Sequence, residues 1–330
     1  MLKSRILRTL ALATVLIPLS AQAEPDLKKL AFSLQWAPQA QFGGYLFAAE
    51  EGIYRKHGLD VTILSGGPSK PDPLDLLREG KADFATLWLS AAIQARARGL
   101  NLVNIGQVVP RSALMLVAKK SRGIRNPRDV QGKKVGLWGP MFRAQPMAFF
   151  KKYDLDVTVV PQSFSVNLFL RDGVDVTSAM WYNEYHTILA AGLNPDELTT
   201  FFFHEHGLNF PEDGIYVLED RFKRDPGACR SFVQASIEGW LAAFAQKEKT
   251  LDIVLKHLKS EHLPANRVHQ RWMLDRIADL ILPSGKSDLA VRLLPADYSR
   301  VAASLHAGGW IASIPEFTSF YRDCSGNGTK

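Results

Sequence analysis

Short apolar runs alternate with helical patterns from residue 30 to residue 191, and this alternation limits the fold more than any other feature of the chain. The apolar runs at 30–36, 59–64 and 82–87 are each followed by a segment with helical spacing. Strand–helix alternation is typical of a parallel sheet with helices on both faces. The pattern therefore predicts an α/β protein.

The alternation occurs twice along the chain. Residues 77–83 (LREGKAD) are similar to residues 170–175 (LRDGVD), and in both segments glycine ends a helix and aspartate opens a strand that runs to a tryptophan. After Asp213 one more strand is predicted. The chain then turns helical, with apolar residues at helical spacing in 226–246, 249–258, 266–281 and 295–307.

Two αβ lobes followed by helices imply that the chain crosses between lobes twice, near 110–112 and near 210–213. Lobe 1 is then discontinuous and consists of 26–110 plus 214–330, whereas lobe 2 spans 111–213. Two crossing segments beside a cleft form a hinge. We therefore expect a two-lobed protein that binds its ligand in the cleft.

Four tryptophans close predicted strands: Trp36, Trp88, Trp138 and Trp181. Ligands of open α/β sheets bind outside the carboxyl ends of the strands, so four indoles at those ends predict a slot for a flat ring. The alternative is that they are core or lobe-packing residues, as is usual for tryptophan. Trp240 and Trp272 lie inside helical patterns and are predicted to be core residues.

The N-terminus has the pattern of a secretory signal peptide. Lys3, Arg5 and Arg8 precede a short apolar run at 10–19, and Ala21-Gln22-Ala23 has the small-x-small form of a cleavage site. We expect residues 1–23 to be removed after Ala23 and the protein to be exported to the periplasm. A retained membrane anchor is the alternative, although the apolar run is too short to span a bilayer stably.

Composition limits the kinds of binding partner that are expected for this chain. The formal charge is +7, yet Lys and Arg are scattered along the chain, so no nucleic-acid partner is expected. Cys229 and Cys324 are the two cysteines, and in an exported chain they can form a disulfide. No cofactor is expected, and the protein is predicted to be a monomer.

Two histidines are candidate metal ligands. His204 and His206 alternate with Glu205, so on a strand both imidazoles would share one face. No third ligand is apparent at a suitable spacing, and a polar strand end is the favoured interpretation. No metal site is therefore predicted, and no Gly-x-Ser-x-Gly nucleophile motif is present either.

Residues 34–45 (LQWAPQAQFGGY) strongly resemble the first-strand motif of the periplasmic solute-binding proteins grouped with thiamine-pyrimidine precursor binders and yeast thiamine-pyrimidine synthase. The resemblance continues in order through 51–54, 58–61, 80–84, 132–136, 181–184 and 210–213. It implies a type II periplasmic-binding fold, with two αβ lobes, a two-strand hinge and C-terminal helices. The implied function is capture of a small planar heteroaromatic ligand, similar to a thiamine pyrimidine precursor, and its delivery to an ABC transporter permease.

The resemblance also implies roles for residues of the first lobe. By motif position, Trp36 would stack on the ligand ring, with Gln35 beside it. Thr86 and Trp88 would line the pocket at the end of the third strand. Asp213, at the return crossing, is expected to be a hinge residue or part of the cleft wall.

In the second lobe, Tyr182 and Glu184 match positions where pyrimidine binders place an aromatic ring and a carboxylate. A carboxylate can accept two N–H bonds from an aminopyrimidine edge. The alternative for Glu184 is an acid at a helix N-terminus that favours the helix dipole. Asn183 is predicted to be the N-cap of that helix.

Departures from the family pattern separate the possible functions. The synthase branch carries a consumable histidine and a lysine for pyridoxal phosphate, whereas residues 86–91 (TLWLSA) contain neither, so no enzyme is predicted. Trp88 and Trp138 favour a larger aromatic ligand, such as a flavin-like ring. The alternatives are a ligand-sensing subunit for a membrane receptor and a sulfonate- or nitrate-type anion binder, for which Arg143 at a predicted helix start would be the anion partner.

Overall fold

The structure is a computed structural model that describes residues 27–282 and 289–326, so the predicted signal peptide lies outside the described residues. The described strands are β1 (Lys28–Ser33), β2 (Leu59–Leu64), β3 (Phe84–Trp88), β4 (Leu102–Gln107), β5 (Leu114–Lys119), β6 (Lys134–Leu137), β7 (Thr158–Pro161), β8 (Val176–Met180), β9 (Leu198–Phe202) and β10 (Asp213–Leu218).

The described α-helices are α1 (Gly43–Glu50), α2 (Ile53–Lys56), α3 (Pro73–Arg78), α4 (Leu89–Ala97), α5 (Ala144–Tyr153), α6 (Asn167–Leu170), α7 (Glu184–Ala190), α8 (Glu219–Arg224), α9 (Pro226–Ala245), α10 (Lys247–Ser260), α11 (Arg267–Ile281), α12 (Pro295–Ala307) and α13 (Phe317–Phe320). None of the helices in these ranges is both long and apolar enough to cross a membrane.

The strands form two five-stranded sheets with the same plan. The strand order is β2-β1-β3-β10-β4 in the first sheet and β7-β6-β8-β5-β9 in the second. From here on, lobe 1 and lobe 2 denote the first and the second sheet, each with the helices that pack on it. The predicted α/β class is confirmed. In each sheet four strands run in one direction, and one interior strand, β10 or β5, runs antiparallel to both of its neighbours.

The chain passes between the sheets twice, at 108–113 after β4 and at 203–212 after β9. Each antiparallel strand is the strand that follows a crossing, because a chain that arrives from the other lobe enters the sheet from the opposite end. Polar contacts tie the two crossing segments together. The Ser112 backbone N–H donates to Asn209 Oδ1 at 2.9 Å, and Asn209 Nδ2 donates to the Pro110 carbonyl at 3.0 Å.

The C-terminal helices pack on lobe 1. Glycines at one point allow α1 and α9 to approach closely, since a Cβ built on Gly44 would lie 2.7 Å from the Trp240 Cα. Phe232 of α9 stacks on Phe84 of β3 with ring centroids 4.3 Å apart. Trp240 is 1% exposed, which confirms the prediction that it belongs to the core.

Four sequence predictions differ from the structure. Strand β9 and helix α8 were not predicted. His204 and His206 lie in a 3-10 turn, Phe203–His206, rather than on a strand, because the strand ends at Phe202. Trp272 is half-buried at an interface between helix α11 and lobe 2, and is not a core residue.

The cysteine pair stays a prediction. Cys229 and Cys324 are both buried free thiols in this structure. Burial raises the pKa of the Cys324 thiol to about 12, and the neighbouring Cys229 adds to that rise.

Candidate ligand-binding site

A cavity of about 350 Å³ lies between the lobes, at the carboxyl ends of β1, β3, β6 and β8. Ligand pockets of globular proteins start at about 300 Å³. The lining residues are Gln35, Trp36, Gln41, Gly67, Pro68, Lys70, Pro71, Asp72, Pro73, Leu74, Leu87, Trp88, Ala91, Trp138, Met141, Phe142, Phe164, Met180, Tyr182, Asn183 and Glu184.

Lobe 1 holds its part of the wall with a polar network beneath the aromatic rings. The Gln35 backbone N–H donates to Thr86 Oγ1 at 2.9 Å, and Gln35 Nε2 donates to Asp213. Asp213 lies opposite Trp88 in the β10–β3 register and also accepts from the side chains of Trp88 and Gln41. Gln35 and Trp88 are therefore held in place by hydrogen bonds within lobe 1.

The loop that follows β2 completes the lobe 1 side. Gly66 donates its backbone N–H to the Trp36 carbonyl at 3.1 Å. A Cβ built there would lie 2.3 Å from the Leu34 carbonyl oxygen, so only glycine allows this approach. The contact brings Lys70 and Asp72 to the rim of the cavity.

Lobe 2 supplies an apolar wall from loops and a short 3-10 turn. Trp138 follows β6 and donates its indole N–H to the Ser163 carbonyl at 3.1 Å. Phe142 lies 5.4 Å from the Trp138 ring and Phe164 lies 6.1 Å from it, measured between centroids. Phe164 is 45% exposed.

The two walls touch each other across the cavity. Trp36 of lobe 1 packs edge-on against Phe164 of lobe 2 with centroids 4.6 Å apart. Trp88 of lobe 1 packs in the same way against Phe142 of lobe 2 at 4.8 Å. Edge-to-face contacts at these distances are favourable aromatic geometry, so the structure is a state in which the lobes are closed on each other.

Glu184 is a buried acid in the wall of the cavity. It is the first residue of α7, lines the cavity and is 6% exposed. The Met180 backbone N–H donates to Glu184 Oε2 at 2.9 Å, and Asn183 Nδ2 donates to Oε1 at 2.8 Å. Burial raises the pKa of Glu184 to about 7, and these hydrogen bonds oppose part of the rise.

Two further buried acids lie where the second crossing meets β10, with Glu212 as the last residue of the crossing and Asp213 as the first of the strand. Burial raises the pKa of Asp213 to about 7 and that of Glu212 to about 8. Glu212 Oε1 accepts from the Ala113 N–H at 2.6 Å and from the Leu114 N–H at 3.2 Å, so this carboxyl joins the second crossing to the start of β5.

The structure brings most of the predicted site residues together. Those that line the cavity are Gln35, Trp36, Trp88, Trp138, Tyr182 and Glu184. Thr86 and Asp213 lie behind the lobe 1 wall, where both accept hydrogen bonds from Gln35.

Three predicted features lie elsewhere or act differently. Trp181 is not among the lining residues, because its ring packs on Phe202 at 5.7 Å and faces helix α11. Asn183 precedes α7 but makes no capping bond, since its amide donates to Glu184 instead. Arg143 donates to the Trp138 carbonyl at 3.1 Å and does not line the cavity.

Phe142, Phe164 and Gln41 were missed by the sequence analysis. Phe164 follows β7, so the rule that placed tryptophans at strand ends would have found it had it been applied to phenylalanine. Phe142 and Gln41 lie in 3-10 turns, Pro140–Phe142 and Ala40–Phe42, which carry no periodic signal.

The fold is that of the periplasmic solute-binding proteins. The aliphatic sulphonate binding protein SsuA of Escherichia coli superposes with a TM-score of 0.70 at 14% identity, covering 92% of this chain and 95% of that one. The desulfurization enzyme DSZB superposes with a TM-score of 0.60 at 14% identity, covering 90% and 96%. Because one fold hosts both a binder and an enzyme, the fold alone does not decide between these functions.

The family model described as "NMT1/THI5 like" matches residues 39–250, and the chain belongs to that family. The riboflavin-binding protein RibY of Chloroflexus aurantiacus is 24% identical over 255 residues, which is 73% of this chain and 70% of that protein. The formylaminopyrimidine-binding protein of Halalkalibacterium halodurans is 22% identical over 255 residues, covering 74% and 75%. The 4-amino-5-hydroxymethyl-2-methylpyrimidine phosphate synthase THI13 of Saccharomyces cerevisiae is 26% identical over 150 residues, covering 44% of each chain.

Proposed function

We propose that this protein is an exported, non-enzymatic solute-binding protein that encloses a planar heteroaromatic ligand between its lobes and delivers it to an ABC permease. One observation carries the proposal. A slot between the lobes is walled by Trp36 and Trp88 on one side and by Trp138, Phe142 and Phe164 on the other, and the buried acid Glu184 also lines it.

The aromatic walls select for a flat ring. Stacked and edge-on aromatic contacts each add about 0.5–1.5 kcal/mol beyond area burial. Glu184 selects for an edge that carries N–H donors, because its oxygens are held by donors from Met180 and Asn183 and have further lone pairs to offer. Riboflavin and formylaminopyrimidine, the ligands named for two relatives, both combine a flat ring with such an edge.

An anion ligand of the sulfonate type is less well supported. Among the described residues that line the cavity, Lys70 is the basic one, and its ammonium is 2.7 Å from the Glu261 carboxylate. Arg143, the predicted anion partner, is bonded to the Trp138 carbonyl. Since Glu184 would repel an anion when ionised, the site favours a neutral or cationic ring.

Titration calorimetry with three probes tests the proposal: riboflavin, formylaminopyrimidine and ethanesulfonate. We expect at least one heteroaromatic probe to bind with one-to-one stoichiometry and ethanesulfonate not to bind. Binding of ethanesulfonate alone would contradict the proposal. Turnover of a bound probe, followed by mass spectrometry, would contradict the non-enzymatic part.

A receptor role and a permease role differ only in the partner. Pull-down by an ABC permease, in the presence of the bound probe, supports delivery. Capture of a membrane receptor ectodomain instead supports the sensing alternative.

A further inference from the structure

One face of helix α11 joins lobe 1 to the cavity-lining segment of lobe 2. His269, Trp272 and Arg276 lie at i, i+3 and i+7, so they form a stripe along the helix. This stripe faces residues 181–186 of lobe 2, which include the cavity residues Tyr182, Asn183 and Glu184. We refer to His269, Trp272 and Arg276 as the α11 stripe.

The middle and the C-terminal end of the α11 stripe contact Trp181. Trp272 Nε1 donates to the Trp181 carbonyl at 3.0 Å. The Arg276 guanidinium lies 5.0 Å from the Trp181 ring centroid and 4.8 Å from that of Trp272, in cation–π range of both. Trp181, whose ring was predicted to line the ligand slot, is therefore part of an inter-lobe contact.

The N-terminal end of the α11 stripe is connected to the Glu184 carboxylate through the side chain of Asn183. His269 Nε2 lies 2.7 Å from Asn183 Oδ1, and Asn183 Nδ2 lies 2.8 Å from Glu184 Oε1. A carboxylate can only accept from Asn183 Nδ2, which leaves Asn183 Oδ1 as an acceptor and makes His269 Nε2 the donor. The direction of every hydrogen bond in this relay is thus fixed by the chemistry of its groups.

His186 completes the relay. His269 and His186 approach through their Nδ1 atoms at 2.9 Å. Burial lowers the pKa of His269 to about 4, so the ring is neutral near pH 7. With its proton on Nε2, the His269 Nδ1 accepts from His186 Nδ1–H, and lobe 2 therefore contacts both sides of the His269 ring.

Helix α11 is itself anchored to lobe 1 and to the hinge. Gln270 accepts from the Ala40 backbone N–H at 2.8 Å, next to the cavity residue Gln41. At the other end, Arg111 of the first crossing donates to the Asp279 carbonyl at 2.7 Å. The helix therefore runs from the hinge to the rim of the cavity.

We propose that the α11 stripe is a latch that holds the closed lobes together, and that His269 is a positioning residue that orients the Glu184 carboxylate through Asn183 only when the lobes are closed. The latch itself rests on inter-lobe contacts. Its effect on ligand affinity rests in addition on the proposed function, because it requires Glu184 to contact the ligand.

Calorimetry on matched variants tests the relay, with riboflavin as the probe. His269→Ala should weaken binding by about fivefold, the worth of roughly one hydrogen bond, whereas His269→Gln keeps a donor for Asn183 and should stay within about twofold of the wild type. In a Glu184→Ala background, His269→Ala should cost less than in the wild type, because only the inter-lobe contact remains to be lost. A purely structural role for His269 would give the same loss in both backgrounds and no rescue by Gln, and that result would overturn the relay.

Small-angle scattering without ligand tests the latch independently. Trp272→Ala should increase the radius of gyration, because it removes an inter-lobe hydrogen bond and the partner of Arg276, whereas Trp310→Ala, a half-buried indole of lobe 1 that does not line the cavity, should not. An unchanged radius, or a tighter-binding His269→Ala variant, would overturn the latch. If the wild type binds no riboflavin, the proposed function fails for that ligand while the scattering result still decides the latch.

Discussion

The carboxyl ends of β3 and β8 occupy the same place in their two sheets, yet the tryptophan near each end lies in a different environment. Asp83 and Asp175 are equivalent, since each accepts through its carboxylate a backbone N–H of the neighbouring strand, from Ala31 at 2.9 Å and from Lys134 at 3.0 Å. Trp88 lies five positions after Asp83, whereas Trp181 lies six positions after Asp175. The position equivalent to Trp88 is therefore Met180.

One residue of offset changes the face on which a strand-end side chain lies, because successive side chains point to opposite faces. Trp88 and Met180 both line the cavity. Trp181, one residue later, leaves the cavity and faces α11. The same sequence feature, a tryptophan at the end of a predicted strand, thus forms part of the cavity wall in one lobe and an inter-lobe contact in the other.

The strand beside each of these positions differs as well. Asp213 lies opposite Trp88 in the β10–β3 register, and Leu114 lies opposite Met180 in the β5–β8 register. Lobe 1 therefore has a polar network beneath its rings, whereas lobe 2 is apolar at the equivalent point. Under the proposed function, we expect lobe 1 to be the preorganised platform on which the ring binds and lobe 2 to close over it.

Removing a ring from each wall is the strongest test of that comparison. Trp36→Ala should weaken riboflavin binding at least about tenfold, since it removes both buried area and a stacking partner. Phe164→Ala should cost less, about threefold, because Phe164 is already 45% exposed. Calorimetry gives both values.

Trp310→Ala controls for the loss of an indole outside the cavity, with folding checked by circular dichroism. A larger loss for Phe164→Ala than for Trp36→Ala would reverse the order and make lobe 2 the platform.

The crossing that carries Glu212 should make stability depend on pH. Burial raises the pKa of the Glu212 carboxyl to about 8, against an unfolded value near 4, so the folded state holds its proton more tightly. Its contribution is fully present below pH 4 and is lost as pH rises through about 8. The free energy of unfolding should therefore fall by about 1 kcal/mol per pH unit at most in this window.

Urea unfolding at pH 5, 7 and 9 measures this slope. Glu212→Gln, which resembles the protonated acid, should give a shallower slope. An identical slope in the variant would mean that Glu212 is ionised throughout and that another group sets the pH dependence.

Glu184 should make affinity depend on pH in the opposite direction. Its pKa is raised to about 7 by burial, so it ionises between pH 6 and pH 8 and becomes a better acceptor for ligand N–H groups. Riboflavin affinity should rise by about threefold over this range in the wild type, as expected for a charge-assisted hydrogen bond.

The Glu184→Gln variant should show no such rise. Asp213 has a similarly raised pKa but lies behind Gln35, so Asp213→Asn should keep the rise. If Asp213→Asn abolishes it and Glu184→Gln does not, the titrating group belongs to lobe 1.

The sequence located the strands that reach the cavity because their signals are local, although β1 ends at Ser33, three residues before its predicted end at Trp36. Apolar runs, glycines at helix ends and the order of motifs located β1, β3, β6 and β8, and three of the four tryptophans line the cavity. The side on which Trp181 lies could not be predicted, since it depends on a one-residue offset relative to a partner strand.

Contacts between residues far apart in the chain could not be predicted from the sequence either. The relay from His269 to Glu184 joins helix α11 to a segment 86 residues earlier in the chain. Trp272 has a helical spacing that fits a core residue equally well, and only the packing of α11 on lobe 2 shows its role. Similarly, the Asp213 network depends on which strand pairs with β3.

The smallest expected change in affinity comes from replacing one of two buried threonines, one in each lobe. Their comparison tests whether the two lobes contribute differently to binding. Thr86 in β3 accepts the Gln35 backbone N–H at 2.9 Å, and Thr177 in β8 donates to Gln162 Oε1 at 2.7 Å. Replacing either by valine removes one buried hydrogen bond and should lower stability by about 1–2 kcal/mol in both cases. Only Thr86→Val should also weaken riboflavin binding, by about twofold, because Gln35 lines the cavity and Gln162 does not. Equal losses of affinity in the two variants would show that both lobes position the ligand through their strands, and that the polar network under lobe 1 gives it no special part in binding.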